Sequence, residues 1–129
     1  MKKLVLVLLV LGMYSCDSDN DISNQFDFEG NWLWKSSTGG IDGRTDTPES
    51  TNKTMVVRFT SNKYELFVND ELEKEMNFVV EEGSSIYTLD QVYLIHYEDG
   101  SKQSFEIKDN ELILKDECHD CFQSIYIEN

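Results

Sequence analysis

Two cysteines near the carboxyl end, Cys118 and Cys121, flank His119 and Asp120 and offer three kinds of chemistry. A zinc site needs four ligands, and no second pair of cysteines or histidines completes one. A thioredoxin-type redox site needs a strand that leads into a helix, and the flanking sequence is strand-like on both sides. We therefore favour a disulfide across a turn, with free thiols as the alternative, and expect its role to be structural.

Other catalytic patterns are missing from the sequence. No serine or cysteine stands in a recognisable nucleophile motif, and no glycine-rich loop could cradle a phosphate. His96 lies within the apolar run 93–97, where a solvent-facing histidine is commoner than a catalytic one. The chain has 25 Asp and Glu residues, so a pair of carboxylates carries no glycosidase signal. We predict no enzymatic activity, no metal and no cofactor.

The third cysteine, Cys16, ends an export signal. Lys2 and Lys3 are followed by an uncharged apolar run over 4–11, which is about half the length that a membrane-spanning helix needs. Ser15 and Cys16 resemble the lipobox of bacterial lipoproteins, in which the cysteine receives lipid before cleavage. This resemblance implies a signal peptide over 1–15 and a membrane anchor on Cys16, with an ordinary secretory signal as the alternative.

An acidic run follows the cysteine, with Asp17, Asp19 and Asp21 in alternate positions. This spacing begins like a calcium loop, but position 6 would be Ile22 instead of glycine and position 12 would be Phe28 instead of glutamate. The run resembles the surface-export signal of Bacteroidota lipoproteins, which implies an outer-membrane protein displayed on the cell surface. The alternative is a solvated linker. In either case we expect 16–25 to be a flexible tether.

The negative charge of the chain argues against anionic partners. The formal net charge is −14, and removing Lys2 and Lys3 with the signal makes it −16. Such a field repels phosphate backbones and anionic headgroups, so we expect neither nucleic acid binding nor adsorption to acidic lipid. Besides the lipidated Cys16, the mature chain keeps two cysteines in an oxidising compartment, which fits a disulfide.

The remainder, 26–129, is predicted to be one all-β domain. Apolar residues alternate with polar ones from residue 28 onwards, which is the period of a β-strand, and no stretch carries a helical stripe. Turn pairs at Asn69-Asp70, Asp99-Gly100 and Asp109-Asn110 separate the strands. The segment 36–52 is predicted to be a long loop, and 85–89 and 91–97 to be two strands or one bent strand. Eight or nine short strands favour an up-and-down antiparallel meander that closes into a barrel of about eight strands.

Gly30-Asn31-Trp32, the long first loop and the order of the turns resemble the small lipocalin-like domains of bacterial lipoproteins. This resemblance covers 26–129 and implies that Trp32 plugs the closed end of the barrel, while Gly30 permits close packing. The sequence departs from the family because 122–129 lacks the arginine that lipocalins stack over this tryptophan.

Trp34 shares a strand face with Trp32 but lies nearer the predicted loop, at the expected open mouth of the barrel. It is either a packed core residue or an aromatic platform for a ligand. A cavity there would bind a small apolar or sugar ligand, and its candidate lining is Trp34, Phe59, Tyr64, Phe78 and Tyr93. The alternative function is a surface module with a filled barrel that holds an envelope protein partner. A solid core with an exposed apolar patch would favour that alternative.

Overall fold

The computed structural model of the protein describes residues 28–129. The predicted signal peptide, the lipidated Cys16, the acidic run and the first two residues of the predicted domain lie outside the described residues.

The described chain forms one antiparallel sheet in which each barrel strand pairs with its neighbours in sequence. Strand β1 also pairs with β9, so the sheet closes into an eight-stranded barrel with β2 as an additional strand on β1. The predicted all-β, up-and-down barrel is confirmed. The strands are β1 (Gly30–Gly39), β2 (Arg44–Asp46), β3 (Met55–Phe59), β4 (Lys63–Val68), β5 (Glu71–Ser84), β6 (Gln91–Tyr97), β7 (Lys102–Lys108), β8 (Glu111–Asp116) and β9 (Phe122–Glu128).

Two of the predicted turns join adjacent strands through residues with positive φ. Asn69 and Asp70 have φ of 49° and 67°, and Asp109 and Asn110 have φ of 51° and 63°. Two successive left-handed residues twist a hairpin in the same sense as its strands, and Asn and Asp tolerate this conformation better than other residues with a side chain. Local turn chemistry therefore fixes the β4–β5 and β7–β8 hairpins.

The predicted loop over 36–52 is wrong. Strand β1 continues to Gly39 and pairs with β2, and a short helix, α1 (Pro48–Thr51), follows. The Thr47 side chain caps this helix by accepting a hydrogen bond from the Ser50 amide. Gly39 passes so close to β9 that a Cβ there would lie 2.2 Å from the Cys121 carbonyl oxygen. These elements are mostly exposed, so the sequence lacks the alternation that a buried face would impose.

The inward face of the barrel is filled by packed side chains. Phe28 lies among three aromatic rings, with centroid distances of 5.0 Å to Phe59, 6.0 Å to Phe78 and 5.0 Å to Phe105. The remaining buried members of this core are Trp32, Trp34, Val57, Met76, Val80, Ile95, Tyr97, Leu112, Leu114 and Tyr126. Aromatic side chains therefore occupy the interior that a ligand would need.

The pairing of neighbouring strands in the barrel wall is shortest in the barrel region where β6 meets β7. The ladder between these strands has three residue pairs and ends at Leu94 and Ser104. In contrast, the β5–β6 ladder continues to Ser84 and Gln91, and the β7–β8 ladder continues to Lys108. The β5–β6 hairpin therefore extends beyond its last pairing with β7. The predicted strand over 85–89 is wrong, because this segment is the irregular tip of that hairpin.

A groove in the barrel wall as the candidate functional site

The predicted ligand-binding residues do not line one common cavity. Trp34, Phe59 and Phe78 are buried in the core, with 3%, 1% and 4% of their surface exposed. The Phe59 ring lies 5.5 Å from the Phe78 ring and 5.4 Å from the Tyr64 ring, measured between centroids. Tyr93 is half-buried and lines a different part of the molecule. The structure thus brings together Phe59, Tyr64 and Phe78, but as packing partners.

Both tryptophans have hydrogen-bond partners within the folded barrel. The Trp32 indole N–H donates to the Phe28 carbonyl oxygen at 2.7 Å, in a buried position. The Trp34 indole N–H donates to Ser37 Oγ at 2.8 Å, and that oxygen lies 2.6 Å from Ser124 Oγ on β9. Trp34 is therefore a core residue that helps join β1 to β9, and it does not lie at an open mouth.

The barrel-base prediction concerns Gly30 and Trp32 at the start of β1. The expected close packing at Gly30 is wrong, because a Cβ at this exposed glycine would meet no atom within 4 Å. Gly30 has φ of 129°, a conformation that side chains rarely adopt, and Trp32 follows with its ring buried. The hydrogen bond from Trp32 also fixes Phe28, which lies before the first strand. This end of the barrel is closed by aromatic rings.

A groove of about 370 Å³ lies on the barrel wall beside the short β6–β7 ladder. Ile113 and Lys115 on β8 pair with Glu106 and Ser104 on β7, and these side chains alternate with the core residues Leu112 and Leu114. They therefore face outwards. The full lining is Ser85, Tyr87, Thr88, Val92, Tyr93, Ser104, Phe105, Glu106, Ile113 and Lys115.

The hairpin tip over 85–90, which we call the strap, crosses this outward face. Glu117 at the end of β8 holds it: its Oε1 accepts from Ser85 Oγ at 2.7 Å, and its Oε2 accepts from the Ile86 amide at 2.8 Å. The Tyr87 hydroxyl donates to the Asp116 carbonyl oxygen at 2.6 Å. Three hydrogen bonds thus attach the strap to a strand about thirty residues further along the chain.

The strap also has internal hydrogen bonds. The Tyr87 amide donates to Ser85 Oγ at 3.1 Å, and the Asp90 amide donates to Thr88 Oγ1 at 3.2 Å. Hydroxyl side chains that bond to the backbone two residues later stabilise local turns. The strap therefore has a defined conformation although it belongs to no strand or helix.

Tyr87 supplies an aromatic surface at the groove. The Lys115 ammonium lies 5.7 Å from the centre of its ring, within the range of a cation–π interaction. Burial of the hydroxyl, together with the nearby charges of Glu117 and Asp116, raises the pKa of Tyr87 above its ordinary value. The phenol therefore remains protonated and donates its hydrogen bond at neutral pH. Tyr93 and Phe105 add further aromatic lining, beside the hydroxyls of Thr88 and Ser104.

A second cavity, of about 310 Å³, opens at the end of the barrel beside the connection between β8 and β9. Its polar groups bond to one another: the Tyr97 hydroxyl donates to Gln103, and the Gln103 amide donates to Asp116 Oδ1 at 2.8 Å. The Phe122 amide donates to the other carboxylate oxygen at 3.3 Å. Since these contacts already satisfy the network, the groove under the strap is the better candidate for a ligand.

The structure joins Cys118 and Cys121 in a disulfide with a Cα–Cα distance of 5.6 Å. This disulfide lies in the connection between β8 and β9, and Cys118 lines the second cavity. Within residues 28–129, no group of three or more His, Cys, Asp or Glu side chains is placed to hold a metal ion.

Sequence reasoning identified Tyr93 but missed most of the groove. Ser85, Tyr87, Thr88 and Glu117 were not predicted as site residues, because their contacts depend on how the hairpin folds back. One signal was present in the sequence: Ile86, Tyr87 and Leu89 form an apolar group inside a segment that also contains turn residues.

Comparison of the chain with protein-family models, with curated proteins and with solved structures gave no match. The described residues contain no helix that is long and apolar enough to cross a membrane. The fold and the groove thus define the class of protein: a small, closed antiparallel β-barrel with a candidate binding groove in its wall.

Proposed function

We propose that this protein is a lipid-anchored, lipocalin-like surface protein that binds a small ligand without catalysis, and that the ligand binds in the groove under the strap. The observation that carries this proposal is the lining of the groove. It combines the aromatic rings of Tyr87, Tyr93 and Phe105 with hydroxyl groups, one carboxylate and one ammonium group. Ligand sites commonly combine a mainly apolar surface with a few polar groups in this way.

The ligand class follows from size and lining. A groove of about 370 Å³ is at the small end of ligand sites, and the interior of the barrel is filled by side chains. A long acyl chain inside the barrel therefore has no space. A sugar ring, or an apolar ring with a polar substituent, could stack on Tyr87 while its polar groups reach Thr88, Ser104 and Glu106.

The ligand test compares two aromatic residues, the exposed Tyr87 and the partly buried Phe67. Tyr87→Ala removes the proposed platform. Phe67→Ala is the matched control, because Phe67 also has a cation near its ring, Arg58 at 5.4 Å from the ring centre, and lies on the opposite part of the barrel wall. The probes are N-phenyl-1-naphthylamine by fluorescence, and glucose, galactose and N-acetylglucosamine by saturation-transfer NMR. We expect Tyr87→Ala to weaken binding about tenfold, the value of one stacking contact, and Phe67→Ala to leave it unchanged. Equal effects of the two variants, or no binding of any probe by the wild-type protein, would contradict the proposal.

The anchor is tested separately in cells fed labelled palmitate. We expect the wild-type chain to become labelled and to sediment with membranes, and Cys16→Ala to remain unlabelled and soluble. Protease shaving of intact cells then tests surface display: the domain should be released from wild-type cells and protected when Asp17, Asp19 and Asp21 are all replaced by Ala. Labelling of Cys16→Ala would refute lipidation, and unchanged exposure of the triple variant would reduce the acidic run to a linker.

The second candidate function is a surface module that holds a protein partner. It is favoured by the filled core together with three exposed apolar side chains on the strap, Ile86, Tyr87 and Leu89.

A further inference from the structure

The strap exposes an unusual amount of apolar surface for its length. Leu89 is fully exposed, and about half of Ile86 and of Tyr87 is accessible to solvent. The other large apolar residues that are exposed in 28–129, such as Ile41 and Leu72, are separate in sequence. Single exposed apolar residues are ordinary, whereas these three form a cluster within four positions and concentrate apolar surface on one short segment. Contiguous exposed apolar surface commonly marks an interaction site.

The hydrogen bonds of the strap hold this cluster in place. Glu117 accepts two hydrogen bonds from the strap, and the Tyr87 hydroxyl donates a third to the backbone of β8. The apolar side chains are therefore presented by a segment with a fixed conformation. A preorganised loop loses less conformational entropy on binding than a loop that must first become ordered.

Exposed acidic residues lie close to the cluster along the chain and in the groove beneath the strap. Glu81 and Glu82 precede the strap on β5, Asp90 ends it, and Glu106 lies on the outward face of β7; all four are exposed. Lys115 is the cation that lies against Tyr87. Because complementary charge favours association, the surface that fits the strap is apolar at its centre and basic around it.

The same charges disfavour two other occupants. A second copy of this chain, related by a two-fold axis, would bring its own acidic residues to the contact. An anionic lipid surface would be repelled by a chain with a formal net charge of −14.

We propose that the strap docks a protein partner. Ile86 and Leu89 would contact an apolar patch of that partner, and lysine or arginine side chains would border the patch.

The first test uses the mature, full-length protein and two labelled helical peptides. One peptide has a leucine face and a lysine face, and in the other serine replaces each leucine; binding is measured by fluorescence anisotropy. We expect Leu89→Ser to weaken binding of the leucine–lysine peptide about five- to tenfold and to leave the serine–lysine peptide unaffected. The matched control is Ile41→Ser, which removes another almost fully exposed apolar side chain. Equal losses in Leu89→Ser and Ile41→Ser would overturn the proposal.

Charge reversal tests the second part of the proposal. Glu82→Lys combined with Asp90→Lys should weaken binding of the leucine–lysine peptide, whereas Glu71→Lys combined with Glu73→Lys, at the other end of β5, should have a smaller effect. Added salt should weaken binding to the wild-type protein. If both double variants have the same effect, the peptide recognises net charge alone and the proposal fails.

The in-cell test places a photo-crosslinking residue at position 89 or at position 41. We expect a crosslink at 89, absent at 41, to a protein whose contact surface is apolar with basic residues around it. Crosslinking to a second copy, or binding of anionic phosphatidylglycerol vesicles through Leu89, would overturn the proposal. Leu89 does not line the groove, so Leu89→Ser should retain small-ligand binding, and failure of the docking proposal is distinguishable from failure of the proposed function.

Discussion

Replacing Glu117 by glutamine should release the strap from the barrel. The carboxylate has two oxygens that accept hydrogen bonds, one from Ser85 Oγ at 2.7 Å and one from the Ile86 amide at 2.8 Å. A glutamine side chain keeps one oxygen and places an NH₂ group where the second acceptor was, so one donor of the strap loses its partner.

The magnitude follows from the exposure of these groups. Hydrogen bonds to charged groups contribute about 1.5–3 kcal/mol, and a value just below this range applies because the Ile86 bond is exposed to solvent and the Ser85 bond is only partly buried. Losing the charge and one of the two bonds should therefore favour the open conformation of the strap by about 1 kcal/mol. The population of that conformation then increases about fivefold. The free energy of global unfolding should change less, since the strap can open while the barrel remains closed.

Hydrogen exchange measures this opening. We expect exchange of the Ile86 and Tyr87 amides to increase about fivefold in Glu117→Gln, with exchange at Ile95 unchanged because that residue is buried in the core. The matched control is Glu106→Gln, which removes a carboxylate from the same groove without removing a bond to the strap. If Glu106→Gln accelerates exchange at Ile86 as much as Glu117→Gln does, the strap is held by the overall charge and the reasoning is refuted.

Three further predictions concern stability. Replacing Cys118 and Cys121 together by Ser should lower the free energy of unfolding by about 2 kcal/mol or less, because the disulfide closes a very short loop; loss of the fold on chemical denaturation would contradict this. Trp32→Ala and Trp34→Ala should each destabilise the protein by about 3–5 kcal/mol in thermal melts, since both rings are buried, and a Trp34→Ala protein that melts like wild type would show that its site is not packed. Burial raises the pKa of Tyr126 to about 12 in the folded state, while the unfolded chain titrates near 10, so this contribution to stability is complete below pH 10 and is lost as the pH rises towards 12. Denaturant titrations over that range should show the loss, and it should be smaller in Tyr126→Phe; an equal loss in that variant would assign it to other groups.

The barrel could be predicted because its signals are local. Alternation along β3, β4, β7 and β8 reports which residues face the core, and paired turn residues such as Asp109 and Asn110 set the hairpins. Closure between β1 and β9 followed from the need to remove two strand edges, and the structure confirms it.

The errors occurred where the local signal was weak. The sequence over 36–52 contains glycine, proline and polar residues, which indicated a loop. In the structure Gly39 lies in a strand and packs against Cys121, which is distant from it in sequence. Trp34 has the same alternation whether it lines an open mouth or a filled core, because period 2 reports the face of a strand and not what fills the space opposite it.

The sequence by itself determined that this protein has an acidic, all-β domain with tight hairpins, since composition, periodicity and turn chemistry act over a few residues. Tertiary structure alone decided that the interior is filled and that the candidate site lies outside it, under the strap. The contact that creates this site joins Ser85 to Glu117, residues 32 positions apart. Their meeting depends on where the β5–β6 hairpin parts from β7, and that position is set by packing of the whole barrel.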